Sequence, residues 1–134
     1  MRTHPYLRAY MAGVLVPTWV LLIVLAGYVA GSAGGWLPEG LDRALIFPMA
    51  VVPNLWGVWN LLYVALGLRE RIPLGAFGAA LPLLLVPAGL GLAGLLGLGY
   101  YKAVHAAMVL PLGMAIYYLA WKYVVAFFNR VVGV

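Results

Sequence analysis

Apolar residues fill the chain in four long runs, and polar positions fall almost entirely between them. The runs cover about residues 7–30, 44–68, 72–98 and 101–128. None alternates with the two-residue period of a membrane strand, and each exceeds the roughly 20 residues a helix needs to cross about 30 Å of hydrocarbon. The pattern predicts an all-α polytopic membrane protein, a compact bundle of four transmembrane helices forming one domain over residues 1–134. The first run is too long for the apolar core of a signal peptide and no clear cleavage site follows it, so it is expected to stay as a membrane helix.

The breaks between runs are short. The longest, Ser32 to Arg43, carries Gly34, Gly35, Trp36, Pro38, Glu39 and Asp42. Asp42 is placed to cap the start of the second helix. Arg69-Glu70-Arg71 forms a tight turn before Pro73, and Gly97 to Gly99 leads into Tyr100 and Tyr101. Connections this short make neighbouring helices antiparallel and leave no room for a soluble domain.

Basic residues set the expected orientation. With the N-terminus cytoplasmic, the inside carries Arg2, Arg8, Arg69, Arg71, Lys122 and Arg130, and the outside only Arg43 and Lys102. This bias predicts both termini inside, in a membrane of the bacterial inner (plasma) type. Lys122 lies within the fourth run, from which its long stem reaches the inner headgroups. The aromatic residues fit interfacial belts: Tyr6, Tyr10, Tyr117, Tyr118, Trp121 and Tyr123 inside, with Tyr28, Trp36, Tyr100 and Tyr101 outside.

Composition narrows the chemistry. The chain is 66% apolar and 8% charged, against about 25% charged in soluble domains. The net charge of +5 is scattered between apolar runs, not gathered on one face as a nucleic-acid partner requires. With no cysteine, disulfides, thiolate nucleophiles and iron–sulfur clusters are excluded. All three acids fall in connections: Glu39, Asp42 and Glu70. A proton-driven exporter built on a membrane carboxylate is therefore disfavoured. No cofactor is implied.

Prolines interrupt every run: Pro17, Pro53, Pro82, Pro87 and Pro111. Each removes one N–H and displaces the carbonyl four residues earlier, here those of Gly13, Met49, Gly78, Leu83 and Ala107. In lipid those carbonyls need partners, supplied by neighbouring helices or around a cavity.

The second run holds the richest stretch, Pro53 to Tyr63. Trp56, Asn60 and Tyr63 share a face by helical spacing, with Asn54 elsewhere on the wheel. An amide in hydrocarbon turns towards protein. Two roles fit Asn54 and Asn60. As packing groups, they bond carbonyls freed by proline. As a site, Asn54, Trp56, Asn60 and Tyr63 line a mid-membrane pocket whose amides and indole faces suit a small polar, cationic or lipid ligand. His105, with Tyr101 one turn earlier, is a further candidate ligand-binding residue near the outer end of the fourth helix. Glu39, Asp42 and His105 offer at most a generic metal set.

The third run carries small residues in two stripes. Gly75, Ala79, Pro82, Val86, Gly89 and Ala93 form one. Ala80, Pro87, Gly91 and Gly94 form the other, and Leu81, Leu84, Leu85, Leu92 and Leu95 occupy the remaining arc. Small residues let membrane helices approach closely, so two stripes predict contact on two sides, one with another subunit. Together these features predict a non-enzymatic integral membrane protein, a homo-oligomer or a subunit of a larger membrane complex, binding membrane lipid or a small polar ligand. A transporter or channel subunit for a small neutral or cationic solute is the alternative. A lipid-modifying enzyme using His105 is a second.

Overall fold

The computed structural model describes residues 4–36, 41–95, 97 and 103–134, with the side chains of 41–48, 93 and 103–107 not included. Glu39, Tyr100, Tyr101 and Lys102 lie outside the described residues, as do the side chains of Asp42, Arg43 and His105. The outer metal set and the His105 site fall there.

The described residues are mostly helical, and none of them forms a strand. Helix α1 spans Pro5–Ala33 and α2 spans Leu41–Ala65, followed by a short 3-10 turn, Leu68–Glu70. The third apolar run is broken into α3, Leu74–Ala79, and α4, Pro82–Leu95. The fourth is α5, Ala103–Leu119, a π-helical segment, Ala120–Val125, and α6, Ala126–Val132. Among the described residues, three stretches are long and apolar enough to cross a membrane: Pro5–Ala33, Leu74–Leu92 and Met108–Val132. A shorter apolar helix, Met49–Ala65, lies in the second run.

Helix ends follow from local chemistry. Pro5 opens α1 where its missing N–H costs nothing. Gly133 closes α6 in the left-handed conformation, φ 72°, which a Cβ would disfavour. That turn lets Val134 N–H donate to Asn129 O at 2.9 Å and Gly133 N–H to Arg130 O at 3.2 Å, satisfying carbonyls the helix end would leave free.

The break at Ala80 and Leu81 is the work of Pro82. Lacking an N–H, Pro82 cannot bond Gly78 O. Leu81 N–H takes that carbonyl instead, at 3.1 Å, and Ala80 N–H bonds Phe77 O at 3.3 Å. The tightened turn re-phases the chain. Leu81 and Leu85 thereby enter the core, with 0% and 8% exposure, whereas Leu84 stays exposed. The sequence pattern puts all three on one arc of an unbroken helix.

Two hairpins make the bundle. Helix α1 packs along α2, and α3 and α4 pack on α5 and the π-helical segment. The hairpins meet where α1 lies on α6 and the π-helical segment, and where α2 meets α3. Arg8 Nη1 donates to Val132 O at 2.8 Å, so both ends of the chain sit at one end of the bundle.

Among the described residues burial is confined to that end. Buried residues fall within 9–17, 56–63, 75–85 and 121–129. Among the described residues none is buried from Thr18 to Trp36, or from Val86 to Ala120. The helical glycines divide the same way. A Cβ at Gly13 would stand 2.5 Å from Trp56 O, at Gly57 2.6 Å from the Tyr10 ring, and at Gly75 3.0 Å from Tyr118 O. One at Gly78 would run into Trp121. Around Gly27, Gly91, Gly94 and Gly113, by contrast, no described atom would lie within 4 Å of a Cβ.

Candidate functional site

Asn60 sits five positions before the end of α2 and is fully buried. Its Nδ2 donates to Asn129 Oδ1 at 2.7 Å and to Ala9 O at 2.7 Å. Asn129 Nδ2 returns a bond to Asn60 Oδ1 at 3.0 Å. Both Nδ2 protons of Asn60 and its oxygen are thus engaged by protein, across α1, α2 and α6. A buried amide is tolerable only when so paired, and here the pairing fixes three helices at one point. Asn129 went unnoticed in the sequence. The signal available was a need for a partner at Asn60, which no periodicity could assign to the far end of the chain.

Asn54 lies on a different face and remains exposed. Its Oδ1 accepts from Tyr10 Oη at 2.6 Å, and its Nδ2 donates to Ala50 O at 3.1 Å. Thr18, directly after Pro17, likewise returns its hydroxyl to Val14 O at 2.8 Å. In both helices the residue after proline bonds the carbonyl four positions back. That carbonyl is the one beside Met49 O, or beside Gly13 O, and not the one proline itself displaces.

Trp56 and Tyr63 face inwards with Asn60, as their spacing predicts. They join a continuous group of rings. Trp56 meets Tyr117 edge-on at 4.8 Å and Trp121 at 5.3 Å between centroids. Phe77 stacks on Trp59 at 4.7 Å and touches Tyr63 at 5.3 Å and Trp121 at 6.4 Å. Trp121 is fully buried, which corrects its expected place in an interfacial belt. Gly78 supplies the room, because only a residue without Cβ lets α3 close on the indole.

Polar atoms of this group pin the broken helix. Trp59 Nε1 donates to Phe77 O at 2.8 Å, the carbonyl whose α-helical partner was drawn away by the Pro82 break. Tyr63 Oη donates to Ile72 O at 2.8 Å, tying α2 to the turn before α3. Trp59, Asn60 and Tyr63 thus hold the two hairpins together through main-chain and amide groups. Trp56 Nε1 and Trp121 Nε1 are buried without a hydrogen-bond partner, enclosed by rings.

A separate groove lies between α1 and α2 near the two prolines. It is lined by Thr18, Leu21, Leu22, Met49 and Pro53 and has a volume of about 230 Å³. Its single hydroxyl, that of Thr18, is already bonded to Val14 O, so the lining presents hydrocarbon. Among the described residues no group of three His, Asp or Glu side chains converges on a metal position. No protein-family model, no curated protein and no solved structure matches the chain.

Proposed function

We propose that the protein is an integral membrane subunit that works by assembly, joining another copy of itself or a larger membrane complex through the half of the bundle away from its termini. The supporting observation is the division among the glycines. Gly13, Gly57, Gly75 and Gly78 are all closely occupied within the chain, whereas at Gly27, Gly91, Gly94 and Gly113 no described atom would lie within 4 Å of a Cβ. Glycine in a helix interior costs about 1 kcal/mol relative to alanine, and close helix approach is what recovers that cost in lipid. On α4, Gly91, Gly94 and Leu95 share a face by i, i+3 and i+4 spacing. The orientation we assign has both termini cytoplasmic, on the strength of the basic bias.

The ligand side of this function is apolar. With Asn60 saturated by protein, the groove at Thr18, Leu21, Leu22, Met49 and Pro53 offers open space among the described residues, and its largely hydrocarbon lining suits a lipid acyl chain better than a polar solute. That weighs against the transporter alternative.

The test is the mass of the particle purified in a lipid-preserving detergent, for the wild type and for Gly91→Leu. Wild-type protein is expected as an assembly that Gly91→Leu breaks to single chains. A wild-type particle of one 14.4 kDa chain would refute the assignment.

A further inference from the structure

The π-helical segment Ala120–Val125 is not explained by assembly. π turns are rare and tend to persist where they serve a function. Its geometric effect is specific. In an α-helix, residues i and i+5 are turned apart by more than a third of a turn. The wider π turn brings such residues closer around the axis. Tyr123 lies in the segment and Tyr118 is the second-last residue of α5, with Lys122 four positions after Tyr118 and next to Tyr123. Lys122 Nζ is 5.5 Å from the Tyr118 ring centroid and 5.2 Å from that of Tyr123.

The position of this cation is fixed by α3. A Cβ at Gly75 would be 3.1 Å from Lys122 Cβ and 3.1 Å from Tyr118 Cε2, so the glycine seats both side chains. Gly75 is the second residue of α3 and stands beside the polar turn that carries Arg69, Glu70 and Arg71, all exposed. Lys122 therefore leaves its helix at the depth of that turn. Its side chain and that of Tyr123 are exposed on the outside of the bundle. Among the described residues no carboxylate pairs with Lys122.

We propose that Lys122 of the π-helical segment, flanked by Tyr118 and Tyr123, binds the phosphate of an anionic phospholipid in the leaflet on the side of the chain termini. The chemistry is that of an ammonium with two phenol groups at headgroup depth. The ammonium supplies the charge-assisted donor, the phenol hydroxyls supply further donors, and the rings limit the directions the lysine can take. A zwitterionic lipid offers the same phosphate but brings its own cation against Lys122, so the site discriminates by net charge.

The experiment is native mass spectrometry of the full chain after equilibration with mixed phosphatidylglycerol and phosphatidylcholine. Wild-type protein is expected to retain phosphatidylglycerol over phosphatidylcholine by about tenfold, which corresponds to one factor of ten in affinity. Lys122→Gln should abolish the preference, Lys122→Arg should keep most of it, and Arg130→Gln should leave it unchanged. Tyr123→Phe, at an exposed position that tolerates change, should weaken retention several-fold and carries the test if Lys122→Gln does not fold. Added inorganic phosphate should leave the lipid bound. Equal retention by wild type and Lys122→Gln, loss of the preference in Arg130→Gln, or displacement by inorganic phosphate would each overturn the proposal. The last would mark a site for free phosphate.

Discussion

Asn60 and Asn129, sixty-nine positions apart, face each other as a reciprocal amide pair with bonds of 2.7 and 3.0 Å. The pair closes the bundle at the end where the termini lie. Removing one member strands the other in a buried place, which costs more than removing both. Asn60→Leu or Asn129→Leu alone should destabilise by about 1–3 kcal/mol. The double substitution should cost less than the sum of the two, with a coupling of about 0.5–3 kcal/mol. Unfolding of the detergent-solubilised protein, followed through its tryptophan fluorescence, measures all three. Additive effects would contradict the pairing.

Trp59 and Pro82 should be coupled in the same sense. Proline diverts Leu81 N–H from Phe77 O, and the Trp59 indole donates to that carbonyl. Trp59→Phe should cost about 1 kcal/mol through the lost bond. In a Pro82→Ala background the helix can recover its regular bonding, and the same change should cost measurably less. An undiminished cost there would show that the indole contributes by packing alone.

Gly78 and Gly91 should respond oppositely to a methyl group. At Gly78 it meets Trp121, and Gly78→Ala should destabilise by about 1–3 kcal/mol, as overpacking does. At Gly91 no described atom lies within 4 Å, and Gly91→Ala should stabilise the single chain by up to about 1 kcal/mol, the gain in helix propensity. Thermal unfolding of both variants under dissociating conditions makes the comparison.

The Arg8 bond to Val132 O holds both ends of the chain at one end of the bundle, and we propose that this end is cytoplasmic. Reporter fusions at Val134 should be active only on the cytoplasmic side, and fusions at Trp36 only on the opposite side. A phosphatase active outside the cytoplasm when fused at Val134 would reverse the assigned orientation.

What the sequence made legible was the part set by hydropathy and by helical period. Four apolar runs and the inward face of Trp56, Asn60 and Tyr63 follow from spacing alone. Element boundaries within the runs did not. Pro82 was legible as an interruption, but its effect on Leu81 and Leu85 depends on how the next carbonyl is satisfied, and that depends on Trp59 from another helix. The π-helical segment has no marker in composition, so Trp121 looked interfacial although Gly78 admits it to the core. Asn129 was hidden for the reason that makes it important. Its partner is remote in sequence, and a single asparagine in an apolar run does not name the helix it will meet.

We propose that the Gly91–Gly94 face of α4, against which no described atom lies, is covered by protein in the membrane. Leu95 lies on that face and is 86% exposed in the single chain. The most direct measurement places a photoreactive amino acid at position 95 and irradiates intact membranes. We expect a crosslinked protein product heavier than the 14.4 kDa chain, and its loss when Gly91→Leu is added. A chain that remains at its own mass, labelled only by lipid, would contradict the account.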